Sequence, residues 1–239
     1  MFASRLRPSS LSALPILLGA LGVAWQLVSC AAELPVHIPP PAVDNARTAG
    51  PSETAVLSGG CFWGVQGVYE HVRGVQKVVA GYAGGDRATA HYDLVSTGTT
   101  GHAESVQITF DPAQISYGDI LHIFFSVVHD PTQLDRQGPD TGSQYRSDIE
   151  YSNETQQHIA LAYIAQLNAA HAFPRSIVTR VDPLKGFYAA EGYHQDYMTH
   201  NPNTPYIAIN DLPKVRNLQR IFPAYYSGRP VLVSAASAL

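Results

Sequence analysis

From Thr54 onward, short apolar runs closed by glycine alternate with longer stretches whose apolar residues recur at helical spacing. TAVLSGG, residues 54–60, predicts a strand. In the next segment Phe62, Val65, Tyr69 and Val72 recur three or four apart, which predicts a helix starting at or just after Cys61; Gly67 weakens it slightly. GVQKVVAGYAGG, residues 74–85, reads as a strand with a glycine stop, and ESVQITFDP, residues 104–112, as a strand ended by Asp-Pro. SYGDILHIFFSVV predicts a helix with Ser116 as its N-cap, and NETQQHIALAYIAQLNAAHAF the longest helix. Between them, DPTQLDRQGPDTGSQYRS is rich in turn residues and reads as a loop, and SIVTRVDP closes the series as a strand. This order predicts an α+β fold, a two-layer ferredoxin-like α/β plait built on a split βαβ unit. Its loops at 83–103 and 129–146 are longer than a bare plait needs, and long loops in a compact domain are where function concentrates.

The two ends break the pattern. Arg5 and Arg7, without an acid, precede the charge-free run at residues 11–29, LSALPILLGALGVAWQLVS, and LVSCAA follows. A basic start, an apolar middle and small residues at its close predict a signal peptide over residues 1–29. LVSC resembles the lipobox of bacterial lipoproteins, with Cys30 as the lipidated residue; ordinary cleavage, an uncleaved anchor and a transit peptide are the alternatives. The expectation is an exported bacterial protein, periplasmic or held to a membrane by its N-terminus. Residues 30–53 are rich in Pro and Ala and read as a linker, residues 54–226 as the domain, and residues 227–239 as a flexible tail.

Composition narrows the function. A net charge of −4 and no basic stripe argue against nucleic acid as a partner. The 10 histidines are scattered without ligand spacing, so no metal is expected. Two cysteines cannot make a disulfide framework. One of them, Cys61, follows two glycines at a predicted strand-to-helix junction. There the free N–H groups of a helix favour a thiolate, lowering its pKa by at most roughly 1.5 units. Phe62 and Trp63 are neighbours in that helix and cannot share one face, so at least one lies off the core side, near Cys61.

GCFWG, residues 60–64, resembles the signature of the A-type peptide-methionine sulfoxide reductases. GYAGG at 81–85, TGHAE at 100–104, QGPDTGSQYRS at 137–147, YHQDY at 193–197 and NPN at 201–203 follow in the family's order. The resemblance covers roughly residues 54–225. It implies reduction of methionine S-sulfoxide, free or in an oxidised protein, to methionine. It makes Cys61 the nucleophile that ends as a sulfenic acid, and Glu104 the acid that protonates the sulfoxide oxygen. Tyr92 and Tyr145 would bind that oxygen, Asp140 would order the pocket, and Phe62 and Trp63 would seat the methyl group. No cofactor is implied beyond an external thiol such as thioredoxin or dithiothreitol, and a monomer is expected. Chemistry asks for the same parts. Sulfoxide oxygen leaves only once protonated, and a glutamate of ordinary pKa is almost wholly ionised at pH 7, so the acid's site must be dry.

Many relatives resolve the sulfenic acid with a cysteine near the C-terminus, whereas this chain has no cysteine after Cys61. Cys30, if not lipidated, is within reach across the linker; a one-cysteine cycle closed by an external thiol is the favoured reading. Three other classes compete. A thiol peroxidase would want an arginine beside the thiolate, and a cysteine hydrolase a histidine paired with it. A lipoprotein binding module with an aromatic pocket would survive Cys61→Ser.

Overall fold

The structure, a computed structural model, describes residue 1 and residues 34–233. Cys30 and most of the predicted signal lie outside the described residues. Strand β1 (Glu53–Gly59) leads through Gly60 and Cys61 into helix α1 (Phe62–Glu70), and β2 (Val75–Ala83) follows. A one-turn helix α2 (Tyr92–Val95) interrupts the loop before β3 (Ala103–Phe110). Next come α3 (Tyr117–Ile123), two-residue strands β4 (Arg136–Gln137) and β5 (Asp140–Thr141), β6 (Ser147–Tyr151) and α4 (Glu154–Ala169). Then β7 (Arg180–Pro183), β8 (Phe187–Ala189), α5 (Tyr197–His200) and α6 (Leu212–Ile221) complete a mixed α+β chain.

Six strands form one sheet in the order β7-β6-β1-β3-β2-β8. All neighbours are antiparallel except β6 and β7, which are joined through α4, as a parallel pair must be by a crossover. α1 packs across β2 and β3, and α4 packs on β6 and α3. The core between the layers is apolar and closed: Leu57, Val65, Val106, Ile108, Phe124 and Phe125 are all fully buried. Each such side chain contributes about 1.5–3 kcal/mol through burial.

The predicted strands and helices recur with shifted limits. The helix predicted to run to Val128 is α-helical only to Ile123 and continues as a wider π-helical turn over Phe124–Val128. β6 begins at the last residue of the predicted loop and runs over Asp148–Tyr151, for which no element was predicted. Its sequence, SDIEY, carries charges where an apolar alternation would be sought, yet Asp148 and Glu150 are buried and Arg146 donates to Asp148 Oδ2 at 3.0 Å. β8 and α6 were not predicted at all.

Both ends expected outside the folded unit are in part docked on it. The supposed linker runs as a strap along α3 and α4. Val36 N–H donates to Ser126 O at 2.9 Å, Tyr163 Oη to Pro39 O at 2.8 Å, and Gln166 Nε2 to Pro40 O at 2.9 Å. Its polar residues then cap α3. Ser116 forms the predicted N-cap in a capping box with Asp119. Asp44 Oδ1 accepts from Gly118 N–H at 2.8 Å, and Asp44 Oδ2 from Ser116 Oγ at 2.5 Å. At the other end Ser227 N–H donates to His71 O at 2.7 Å, Val231 N–H to Glu70 O at 2.9 Å, and Val233 N–H to Asp196 Oδ1 at 3.0 Å. Proline-rich composition signals the lack of regular structure and leaves open whether the segment docks.

If the strap is part of the folded unit, Asp44→Ala leaves the first turn of α3 short of an acceptor and destabilises the protein by about 0.5–2 kcal/mol. Thermal unfolding followed by circular dichroism reads this as a lower Tm, and an unchanged Tm would show the strap to be energetically idle.

Candidate active site

Register brings the two central groups together. Leu57 of β1 lies opposite Val106 of β3. Two residues further along each antiparallel strand, Gly59 comes level with Glu104, and the Oγ atoms of Ser58 and Ser105 meet between them at 2.8 Å. The chain then turns at Gly60, whose φ of +91° suits glycine, and a Cβ there would fall 2.6 Å from Gln137. Cys61 becomes the N-cap of α1 and its thiol is free. Phe62 N–H, in the first turn, donates to Glu104 Oε2 at 3.0 Å, and the Cys61 thiol lies close enough to the same carboxyl for each to act on the other's titration.

Both groups are buried, Cys61 at 8 % and Glu104 at 3 % exposure, and that burial dominates their chemistry. Burial pushes the Glu104 carboxyl up to about 8, against the hydrogen bond from Phe62, with Asp140 adding to the rise. At neutral pH Glu104 is therefore largely protonated. Burial also pushes the Cys61 thiol up, followed by the charges of Glu104 and Asp211; the Trp63 N–H on the sulfur opposes them. The sequence expectation of a thiolate favoured by the helix is thus reversed. The first-turn N–H is present, but desolvation and nearby carboxylates outweigh it.

Aromatic rings wall the site. Trp63 stacks on Tyr197 with ring centroids 3.9 Å apart, and Tyr206 meets its edge at 5.9 Å. Trp63 Nε1 donates to His194 Nδ1 at 3.2 Å. That bond requires Nδ1 to be the unprotonated nitrogen, in keeping with burial lowering the His194 pKa. The His194 ring also lies 5.0 Å from Phe62 and 4.4 Å from Tyr92. Phe62 is buried, whereas Trp63, Tyr92 and Tyr145 are only partly so.

The polar side is equally defined. Burial, then the charge of Glu104, then Cys61 raise the pKa of both Tyr92 and Tyr145, so their hydroxyls stay protonated beside those groups. Glu191 fixes Tyr92, accepting from its N–H at 3.0 Å and from Tyr82 Oη at 2.8 Å. Tyr206 Oη donates a short hydrogen bond to Asp140 Oδ2. Asp140 itself is pushed up by burial, while Tyr206 and the Lys214 ammonium hold it down. All seven protein residues predicted for catalysis and substrate binding thus fall in one region; only Cys30 is outside the described residues.

Sequence reading gave no role to Tyr206, His194, Glu191, Asp211 or Lys214. These lie after Ala190, where short irregular elements leave no long periodic pattern. The helical spacing of Leu212, Val215 and Leu218, with Pro213 in the first turn, was the available signal for α6. Among the described residues, no group of three or more His, Cys, Asp and Glu side chains could hold a metal ion, and no helix is long and apolar enough to cross a membrane.

A neutral thiol beside a neutral carboxylic acid, in a pocket that is aromatic on one side and hydroxylic on the other, defines a thiol enzyme for a small, uncharged, half-apolar substrate. The charges acting most strongly on Cys61 are carboxylates, which suits neither the arginine-assisted thiolate of a peroxidase nor the histidine-paired thiolate of a hydrolase. Comparison with known proteins specifies the class. The family of peptide methionine sulfoxide reductases matches residues 53–225. A peptide methionine sulfoxide reductase MsrA 2 of Mesorhizobium japonicum is 58% identical over 193 residues, 81% of this chain and 99% of the relative. An MsrA 2 of Synechocystis is 52% identical over 186 residues, 77% of this chain and 87% of the relative. Among solved structures, methionine sulfoxide reductase A of Corynebacterium diphtheriae is 32% identical with a TM-score of 0.56, covering 74% of this chain and 90% of its own. Reduced Mxr1 from Saccharomyces cerevisiae is 30% identical with a TM-score of 0.57, covering 66% and 91%. The chain belongs to the peptide methionine sulfoxide reductase family. It is an oxidoreductase that reduces methionine sulfoxide and so repairs oxidised protein.

The charge of Glu104 is one cause of the high thiol pKa, so Glu104→Gln lowers the pH at which Cys61 becomes reactive. Alkylation by iodoacetamide across pH 6 to 11 measures this; a midpoint equal to or above that of the wild type would contradict the electrostatic account.

Proposed function

We propose that Cys61 attacks the sulfur of methionine S-sulfoxide while Glu104 protonates the departing oxygen. The observation that carries this reading is a buried carboxyl held at 3.0 Å by the N–H of the residue next to the thiol and pushed by burial up to about 8. A sulfur–sulfur bond forms as the S–O bond breaks, and Glu104, having recovered a proton from the Cys61 thiol, lets the oxygen leave as water. A water then adds to the Cys61 sulfur and returns a proton to Glu104 while the sulfur–sulfur bond breaks with its electron pair going to methionine, so that in sum thiol plus sulfoxide gives sulfenic acid plus methionine. Tyr92 and Tyr145 hydrogen-bond the oxygen without adding charge. Phe62 and Trp63 seat the methyl group, and Asp140 acts through Tyr206, which braces the edge of Trp63. The S epimer is the substrate, free or within an oxidised protein.

No second cysteine is present among the described residues beside Cys61. The sulfenic acid is therefore read as passing to an external thiol. One thiol forms a mixed disulfide and releases water; a second attacks that disulfide, restores Cys61 and leaves as the oxidised reductant. A thioredoxin-like protein or dithiothreitol fits this role, and the enzyme works as a monomer. The four central strands are read as a split βαβ plait, which their order β6-β1-β3-β2 supports, with β7 and β8 added at the edges.

Incubation of the protein with separate R and S epimers of a methionine-sulfoxide peptide and dithiothreitol tests the chemistry. Only the S epimer is consumed. Cys61→Ser abolishes turnover, and Glu104→Gln lowers kcat/KM by about 10²–10⁴. Turnover of neither epimer, with Cys61 still alkylated, would sink the reading.

The uncharged run at residues 11–29 and the LVSC that follows support export and lipidation at Cys30. In fractionated bacterial cells the wild type then sediments with membranes and Cys30→Ala does not. Equal partition of the two would remove the lipid anchor from the account.

A further inference from the structure

We propose that the buried ion pair Asp211–Lys214 is a positioning element of the reductase site, setting the charge felt by the Cys61 sulfur through the first turn of α1. The inference rests on Cys61 being the nucleophile. Asp211 closes a π-helical turn, Ile207–Asp211, that runs directly into α6, and its side chain makes no hydrogen bond to that helix's backbone. It reaches across to α1 instead. A Cβ at Gly64 would fall 2.2 Å from Asp211 Oδ1 and 3.1 Å from Lys214 Nζ, so the pair lies against the helix three residues beyond Cys61. Lys214 Nζ stands 3.5 Å from Asp211 Oδ1, and exposure is 6 % for Lys214 and 0 % for Asp211.

Stability alone is a poor account of this arrangement. Desolvating two charges offsets most of their attraction, and apolar residues of the same volume often serve a core as well or better. Gly64 adds to the cost, since glycine in a helix interior is about 0.5–1 kcal/mol worse than alanine. What the pair does supply is charge at a chosen place. The Cys61 sulfur is faced by Glu104 from β3, Asp140 from β5, the tyrosines 92, 145 and 206, the Trp63 N–H of α1, and Asp211 itself. Lys214 is the cation whose field reaches Asp140, Asp211 and the buried neutral His129. Burial pushes Asp211 up to about 6 with Lys214 opposing, so above neutral pH it is an anion restrained by its partner. Asp211 then disfavours the thiolate, and Lys214 limits how strongly it does so.

The partners should therefore act in opposite directions, which a merely structural pair would not do. Iodoacetamide alkylation of Cys61 is followed against pH in the full-length protein, with Tm and kcat/KM on a methionine S-sulfoxide peptide as companion readouts. Asp211→Asn removes a negative charge and lowers the alkylation midpoint by about one unit. Lys214→Gln removes a positive charge and raises it by a similar amount, moving the alkaline part of the kcat/KM profile in the same direction. Lys214→Arg keeps the cation and leaves the midpoint near that of the wild type. Should Lys214→Gln fail to fold, Asp211→Asn against Lys214→Arg decides the matter: a lowered midpoint in the first and an unmoved one in the second supports the proposal. Midpoints that stay put in folded variants, or move in the same direction in Asp211→Asn and Lys214→Gln, overturn it. The family chemistry has a separate readout: a wild type that reduces the S epimer while these midpoints stay put loses the ion-pair role and nothing else.

Discussion

The exclusion of water from one strand end, where a thiol and a carboxyl meet, is the constraint on which the rest of the site depends. In water Glu104 would be an anion unable to give a proton at neutral pH. At 3 % exposure it is pushed up to about 8 and holds one. The hydrogen bond from Phe62 works the other way, favouring the carboxylate, and loses. Desolvation is the larger effect because the apolar layers close over the position, whereas a helix N-terminus contributes about 0.3–1 kcal/mol. The bond from Phe62 still has a use, since it orients the carboxyl at the start of the helix that carries the thiol.

Sheet register makes that meeting unavoidable. β1 and β3 are antiparallel, so the end of one lies beside the beginning of the other, and whatever follows Gly59 emerges next to Glu104. The aromatic wall is assembled differently. Trp63 comes from α1, His194 and Tyr197 from the region around α5, and Tyr206 from the start of the helical run that leads through a π-helical turn into α6. The segment around α5 lacks a long element of its own and is held by side-chain bonds instead. Gln195 Nε2 donates to Ala80 O at 2.9 Å, Asp196 N–H donates to Gln66 Oε1 at 3.0 Å, and the tail reaches Asp196 through Val233. In the proposed mechanism the sheet-borne half of the site supplies the reacting groups and the pinned half supplies the seat.

That division explains what could be read in the sequence. Periodic and glycine-closed runs revealed β1, α1, β2, β3, α3 and α4, because each buries a regular face. The residues of GCFWG and TGHAE were legible for the same reason, since they sit where such elements begin. β6 escaped because Asp148 and Glu150, among its buried side chains, are acidic, so apolar alternation was absent; Arg146 donates to Asp148 Oδ2. The docking of residues 34–47 escaped because the strap uses its own carbonyls and the carboxylate of Asp44, and no periodicity reports such bonds. Tyr206, Asp211 and Lys214 escaped because their importance lies in contacts with residues more than sixty positions away, Asp140 and Gly64. The direction of the thiol's shift escaped for a related reason. A helix N-terminus is visible in a sequence, while the burial and, after it, the carboxylates that outweigh it are supplied by other strands and helices.

The neutrality of the site also matches the reaction it serves. Thiol, carboxylic acid and sulfoxide enter uncharged, and sulfenic acid, carboxylic acid and thioether leave uncharged. A dry pocket that penalises every isolated charge therefore penalises neither reactants nor products; it penalises only an early thiolate or an early carboxylate. Coupling the two proton movements between Cys61 and Glu104 avoids both, because the carboxyl can give one proton as it receives the other. The regenerating half-reaction lacks this symmetry. There the attacking thiol reacts as its anion, and it approaches a sulfur surrounded by the carboxyl groups of Glu104, Asp140 and Asp211. The same burial that makes Glu104 an acid helps here too, since a protonated Glu104 presents no charge to the incoming reductant. In the proposed mechanism, desolvation of one carboxyl thus serves both halves of the cycle, first as a proton source and then as the absence of a repelling charge.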